Sequence, residues 1–211
     1  MRITSERVQR AIAEAALTTF CTRGYGAATL EEIGAQVGLT RGAVLHHFHS
    51  KAGLLGVVVD PCRQALAQLL ITTHVNDSPI ASQRRQLLTR YADLFLAHRG
   101  ALRLLANDVS ARAQLGLDDQ WLVPPEPLVN LLVGSGAPDV HRIRVLAALG
   151  ALVQPVIGAC GDLDTARTRA ELIDGAVAVL QAPRARAPRM RPETATASEV
   201  GAAPMAKAAG Q

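Results

Sequence analysis

Aromatic residues are scarce in this chain, with three Phe, two Tyr and one Trp among 211 residues. The β-branched and aromatic runs that strands favour are thin as well. Cysteine is limited to Cys21, Cys62 and Cys160, an odd number set apart in helical contexts. No C-x-x-C or other metal-ligand spacing joins them, so buried free thiols in a reducing cytoplasm are the expectation. No Gly-rich phosphate loop follows a strand, and Ser, Asp and His occur without an elbow or triad signature. No catalytic residue, cofactor or enzymatic activity is therefore assigned. Arg2, Glu6, Arg7 and Arg10 interrupt any apolar leader, so no signal peptide is expected at the start and a cytoplasmic location is. No stretch of about 18 uncharged apolar residues argues for a membrane span. Residues 146–161 are apolar but contain Gln154 and Pro155, and read as a buried interface helix.

What remains is rich in helix formers. Hydrophobic residues make up 49% of the chain, mostly Ala, Leu and Val, which predicts an all-α protein. The net charge of +4 permits a nucleic-acid partner without demonstrating one, since much of the excess (Arg184, Arg186, Arg189, Arg191, Lys207) sits near the end of the chain.

The most informative stretch is Thr29 to Lys51. Thr29 and Glu32 form a capping box, and Leu30, Ile33, Gly34 and Val37 follow on one helical face. Gly38 suits the left-handed residue that ends such a helix, Leu39 plugs the turn, and Thr40 caps the next helix. Val44 and Phe48 face inward from that second helix, while Arg41, Ala43 and His46 point elsewhere. Two short helices joined by a tight turn, the second presented outward, are a helix-turn-helix suited to the major groove.

Residues 38–51 closely resemble the DNA-binding segment of the TetR family of bacterial transcriptional regulators. The family pattern runs small residue, Val/Leu, Ser/Thr, any, Gly, Thr/Ala, Leu/Val, Tyr, any, His-Phe, two residues and Lys. This chain matches at Thr40, Gly42, Ala43, Val44, His47, Phe48 and Lys51. It departs at Leu45, where the family usually carries a tyrosine whose hydroxyl contacts a phosphate. The resemblance implies a three-helix helix-turn-helix domain at residues 1–50 and a larger effector-binding and dimerisation domain at 51–182. It further implies a homodimer on a palindromic double-stranded DNA operator, acting as a repressor released by a small, mostly apolar effector. On that reading Thr29, Thr40, His47 and Lys51 contact phosphates, and Arg41, Ala43 and His46 read base edges.

The rest of the chain is read as helices. The first spans residues 4–23, with Val8, Ile12, Ala15, Ala16, Thr19 and Phe20 as its stripe. A helix opening at Ser50-Lys51 is expected to kink or break at Asp60-Pro61. Helices follow over 79–98, 101–113, 127–133, 139–160 and 164–181, and residues 183–211 read as a flexible tail. Tyr91, Leu94, Phe95, Leu102, Leu105 and Trp121 are candidate effector-binding residues, with the Tyr91 hydroxyl or Asn107 as a polar orienting group. His46 and His49 are spaced i, i+3, but no carboxylate or thiol lies nearby in sequence, so no metal is assigned. Two other classes fit the pattern less well: a helical ligand carrier or scaffold with a vestigial helix-turn-helix, and a helical small-molecule enzyme.

Overall fold

A computed structural model describes residues 5–72, 81–118, 121, 123–134, 138–158 and 166–182. Among them the chain is all-α, as the composition predicts. The helices are α1 (Ser5–Arg23), α2 (Leu30–Gln36), α3 (Arg41–Phe48), α4 (Lys51–Thr72) and α5 (Ala81–Ala97), followed by α6 (Arg99–Asn107), α7 (Val109–Gln114), α8 (Glu126–Val133), α9 (Asp139–Ile157) and α10 (Ala166–Gln181). The expected tail at 183–211 lies outside the described residues.

Two apolar cores hold these helices. The first joins Ile12, Ala16 and Phe20 of α1 to Ile33, Val44 and Phe48 of the helix-turn-helix, and to Leu54, Leu55 and Val59 of α4. The second is built from α5, α8, α9 and α10, with Cys62 and Leu69 of α4 and Leu102 of α6. Leu88, Leu128, Leu149 and Leu152 are fully enclosed in it, and each such burial stabilises the fold by roughly 1.5–3 kcal/mol. Helix α6 serves both cores, since Leu104 and Leu105 pack into the first.

Helix α4 runs through Pro61 without a break, so an interruption of the helix there is not observed. A proline in a helix interior loses one backbone hydrogen bond and costs about 3 kcal/mol. Here the turns on either side anchor in different cores, Val59 in the first and Cys62 in the second, and that burial holds the helix through the lost bond. The helix expected over 101–113 is two helices instead. Asp108, extended at φ −121° and ψ 99°, ends α6 and caps α7 by accepting from the Ala111 N–H at 2.9 Å. The chain changes helix at His98, with α5 ending at Ala97 and α6 opening at Arg99.

Helices α4 and α9 are long and apolar enough to cross a membrane by length and composition alone. Both supply core residues here, Leu54, Leu55 and Val59 from α4 and Leu149, Leu152 and Val156 from α9.

Candidate nucleic-acid interface and effector cavity

The helix-turn-helix forms as its capping residues dictate. Thr29 Oγ1 accepts from the Glu32 N–H at 3.2 Å, and the Glu32 carboxylate accepts from the Thr29 N–H at 3.1 Å. Gly38 adopts φ +71°, a left-handed conformation that costs glycine little. A Cβ at Gly34 would stand 2.6 Å from the Leu39 carbonyl oxygen and 3.2 Å from Val44 Cγ2, so only glycine lets α3 seat this closely on α2. Thr40 Oγ1 caps α3 by accepting from the Ala43 N–H at 3.3 Å. Across the domain, Gln36 donates to Thr19 Oγ1 at 2.8 Å, bracing α2 against α1.

Val44 and Phe48 are buried, which turns the opposite face of α3 outward. Thr29, Thr40, Arg41 and His46 are exposed, while Ala43, Leu45 and His47 are half-buried. Arg41 Nε lies 3.2 Å from the Glu31 carboxylate, with both side chains well exposed. Among the described residues no group of three His, Cys, Asp or Glu is arranged to hold a metal.

Lys51 is placed differently from a freely projecting phosphate contact. Its Nζ donates to the Gly26 carbonyl at 3.1 Å and lies 4.5 Å from the centre of the Tyr25 ring. Burial draws this ammonium below the ordinary lysine range, against the opposing charges of Asp108 and Glu32. Asp108 completes the arrangement. One carboxylate oxygen accepts from Ala111 N–H and, at 2.6 Å, from the Ser110 hydroxyl, and the other accepts from the Tyr25 N–H. Burial works against the charged form, but the hydrogen bonds from Ser110, Tyr25 and Ala111 outweigh it and hold the carboxyl below its usual range. The turn after α1 is thus tied directly to the α6–α7 junction.

Behind that junction is an apolar cavity of about 160 Å³. All six candidate effector residues line it: Tyr91, Leu94 and Phe95 from α5, Leu102 and Leu105 from α6, and Trp121. The Tyr91 and Phe95 rings are tilted against each other with centroids 4.6 Å apart. Sequence reasoning missed the wall supplied by α4, namely Val59, Cys62, Arg63 and Leu66. Their spacing would have shown it had the helix been carried through Pro61. Burial pushes the Cys62 thiol up to about 11, and burial with the neighbouring thiol pushes the Tyr91 hydroxyl far above its ordinary value. Both groups are therefore protonated donors at neutral pH. Asn107 is not on this cavity. It borders a second one, of about 210 Å³ between α1 and α6, and its side chain donates to the Arg103 carbonyl at 2.9 Å.

An outward α3 on a three-helix support defines a DNA-binding domain of helix-turn-helix type. Residues 12–58 match the family described as bacterial regulatory proteins, tetR family. The HTH-type transcriptional regulator TtgR of Pseudomonas putida is 33% identical over 104 residues, 47% of this chain and 50% of that protein. SrpR of Pseudomonas putida, also an HTH-type transcriptional regulator, is 40% identical over 55 residues, 26% of each chain. The chain thus spans about half the length, or less, of these curated relatives. Among solved structures, a TetR-like transcriptional regulator from a Rhodococcus species matches with a TM-score of 0.59 at 19% identity, covering 86% of this chain and 100% of that one. The TetR-family transcriptional regulator PfmR from Thermus thermophilus matches at 0.56 and 19%, covering 82% and 99%. These structures share the fold. Residues 12–58 are a DNA-binding domain of the tetR-family type, and the chain around them shares the fold of these structures.

Proposed function

We propose that this chain is a sequence-specific transcriptional repressor that binds a palindromic operator as a homodimer and is released by a small, mostly apolar effector. The observation that carries the reading is the exposed face of α3, held rigidly by the buried Val44 and Phe48. Arg41 reads guanine through its guanidinium, exchanging the exposed Glu31 contact for a base edge, and Ala43 and His46 flank it. Thr29, Thr40 and His47 contact phosphates. Lys51 acts first as a brace, holding the Tyr25–Gly26 turn, and adds positive potential near the DNA backbone. Residues 1–50 read DNA, and residues 51–182 bind effector and partner.

Dimerisation is assigned to the outer faces of α9 and α10. Val140, Ile143 and Leu146 are exposed on α9, Ile143 at 66%. On α10 the outward Gly175 and Ala178 are small enough for a partner helix to approach. Two such helices from each subunit make a four-helix interface with two-fold symmetry. Leu149, although on α9, is fully buried inside the protomer and belongs to its core rather than to this face.

Effector response runs through α4 and α6. Both line the cavity, α4 begins at the recognition helix, and α6 ends at the Asp108 tie to Tyr25. A ligand that prefers one setting of these helices shifts the spacing of the two recognition helices. Gel-shift titration against the DNA upstream of the chain's own gene tests the proposal. A sequence-specific complex of two chains per site is expected, and affinity no greater than for unrelated DNA at the same salt would refute it.

A further inference from the structure

We infer that the cavity selects small aromatic acids, a single ring against Tyr91, Phe95 and Trp121 with its carboxylate at Arg63. This rests on the reading of the cavity as the effector site and names the chemistry it takes. Size sets the first limit: at about 160 Å³ the space resembles apolar cavities of about 150 Å³ that accept benzene. Shape sets the second, because the tilted Tyr91–Phe95 pair offers aromatic faces and edges on one side and Trp121 borders the same space.

Charge sets the third. Arg63 is the one charged side chain among the described residues that line the cavity, and no Asp or Glu joins it there. An organic cation would leave water for a pocket that holds no counter-charge and already presents a guanidinium. An anion meets a planar fork of N–H donors at the rim, where carboxylates are bound in bidentate fashion. The guanidinium's contact with Asp60 is long, 3.7 Å, and both side chains are more than half exposed. Such a pair is worth little and yields readily to a better-placed carboxylate. Cys62 and Tyr91 line the same cavity, and their thiol and hydroxyl stay protonated there.

The chain's single tryptophan is Trp121, so its fluorescence reports occupancy of this cavity in the full chain. Three probes of matched shape separate the possibilities: phenylacetate, phenylacetamide and phenethylammonium. Phenylacetate should bind about tenfold more tightly than the amide, a typical gain for a hydrogen bond to a charged group. Phenethylammonium should bind most weakly, and the acid's advantage should shrink as salt rises. Arg63→Gln should weaken the acid far more than the amide and so erase the preference, Arg63→Lys should restore part of it, and Asp60→Asn should enhance it. Equal affinities for acid and amide, or a preference that survives Arg63→Gln, would overturn the selectivity and leave the cavity reading standing. If none of the probes perturbs Trp121 at millimolar concentration, the cavity reading falls and the selectivity falls with it.

Discussion

Replacing Asp108 by Asn separates two jobs that one carboxylate performs. Asp108 Oδ1 caps α7 at Ala111, and Oδ2 accepts from the Tyr25 N–H. Asparagine retains one acceptor oxygen but puts an NH₂ group where the other stood. With its oxygen kept at the cap, the NH₂ confronts the Tyr25 N–H, donor against donor. The half-buried N–H loses its partner, which costs about 1–3 kcal/mol. Asp108→Ala forfeits the cap as well, adding roughly 1 kcal/mol. For a chain of this size each kcal/mol lowers Tm by about 2–4 °C, so Asp108→Asn should melt several degrees below the parent and Asp108→Ala lower still. Amide hydrogen exchange at Tyr25 should quicken by about tenfold or more in Asp108→Asn while Ala111 stays protected. The pH dependence carries the same sign. A carboxyl held below its ordinary value of 3.8 contributes fully above that pH, and its contribution fades as pH falls through the lower folded value. Asp108→Asn should therefore flatten the acid limb of the stability curve. A variant with parental Tm, unchanged protection at Tyr25 and an unchanged acid limb would refute the tie between the two halves of the molecule.

Arg41→Ala should relax preference at particular base pairs and cost roughly 1–3 kcal/mol of specific binding, measured by gel shift on single-base operator variants; the same pattern of base preference before and after the change would remove Arg41 from base reading. Ile143→Asp puts a charge on the exposed α9 face and should yield folded monomers by light scattering together with loss of tight operator binding, whereas a stable monomer that still binds a full operator tightly would uncouple the two. Leu105→Phe should fill part of the cavity, keeping the melting temperature and DNA binding while blocking probe quenching of Trp121; a loss of about 1–3 kcal/mol in stability with quenching intact would mark a solid core instead.

Much of this was legible because short-range chemistry wrote it. The capping box at Thr29–Glu32, the left-handed Gly38 and the inward pair Val44 and Phe48 depend on residues within a few positions of each other. The helical spacing of Tyr91, Leu94 and Phe95, and the placement of Leu102 and Leu105, also pointed to one apolar face. What escaped was what depends on distant partners. Asp108 sits inside what the sequence reads as one helix over 101–113, and its bond to Tyr25 spans 83 positions, with nothing near Tyr25 to announce it. Lys51 matches the family pattern, yet the Gly26 carbonyl that takes its ammonium lies 25 positions earlier. Leu149 sits in the same apolar stripe as its neighbours, and only the packing of α5, α8 and α10 against α9 decides that it faces inward.

Pro61 shows why local rules fail at the junction itself. Its penalty is real, and in an isolated helix it would favour a break. The chain instead keeps one continuous α4, because Leu54, Leu55 and Val59 anchor the turns before the proline and Cys62 and Leu69 those after it. Burying five such side chains outweighs one missing backbone bond several times over. The same proline leaves the carbonyl four residues back without its usual helical donor, at the point where one core gives way to the other. A helix locked at both ends and weakened between them bends most easily there. The residues that flank the weak point, Val59, Cys62 and Arg63, are also cavity wall. On the proposed effector reading, a ligand pressing on that wall would act where α4 resists least, and the far end of the lever would be the start of α4 beside α3.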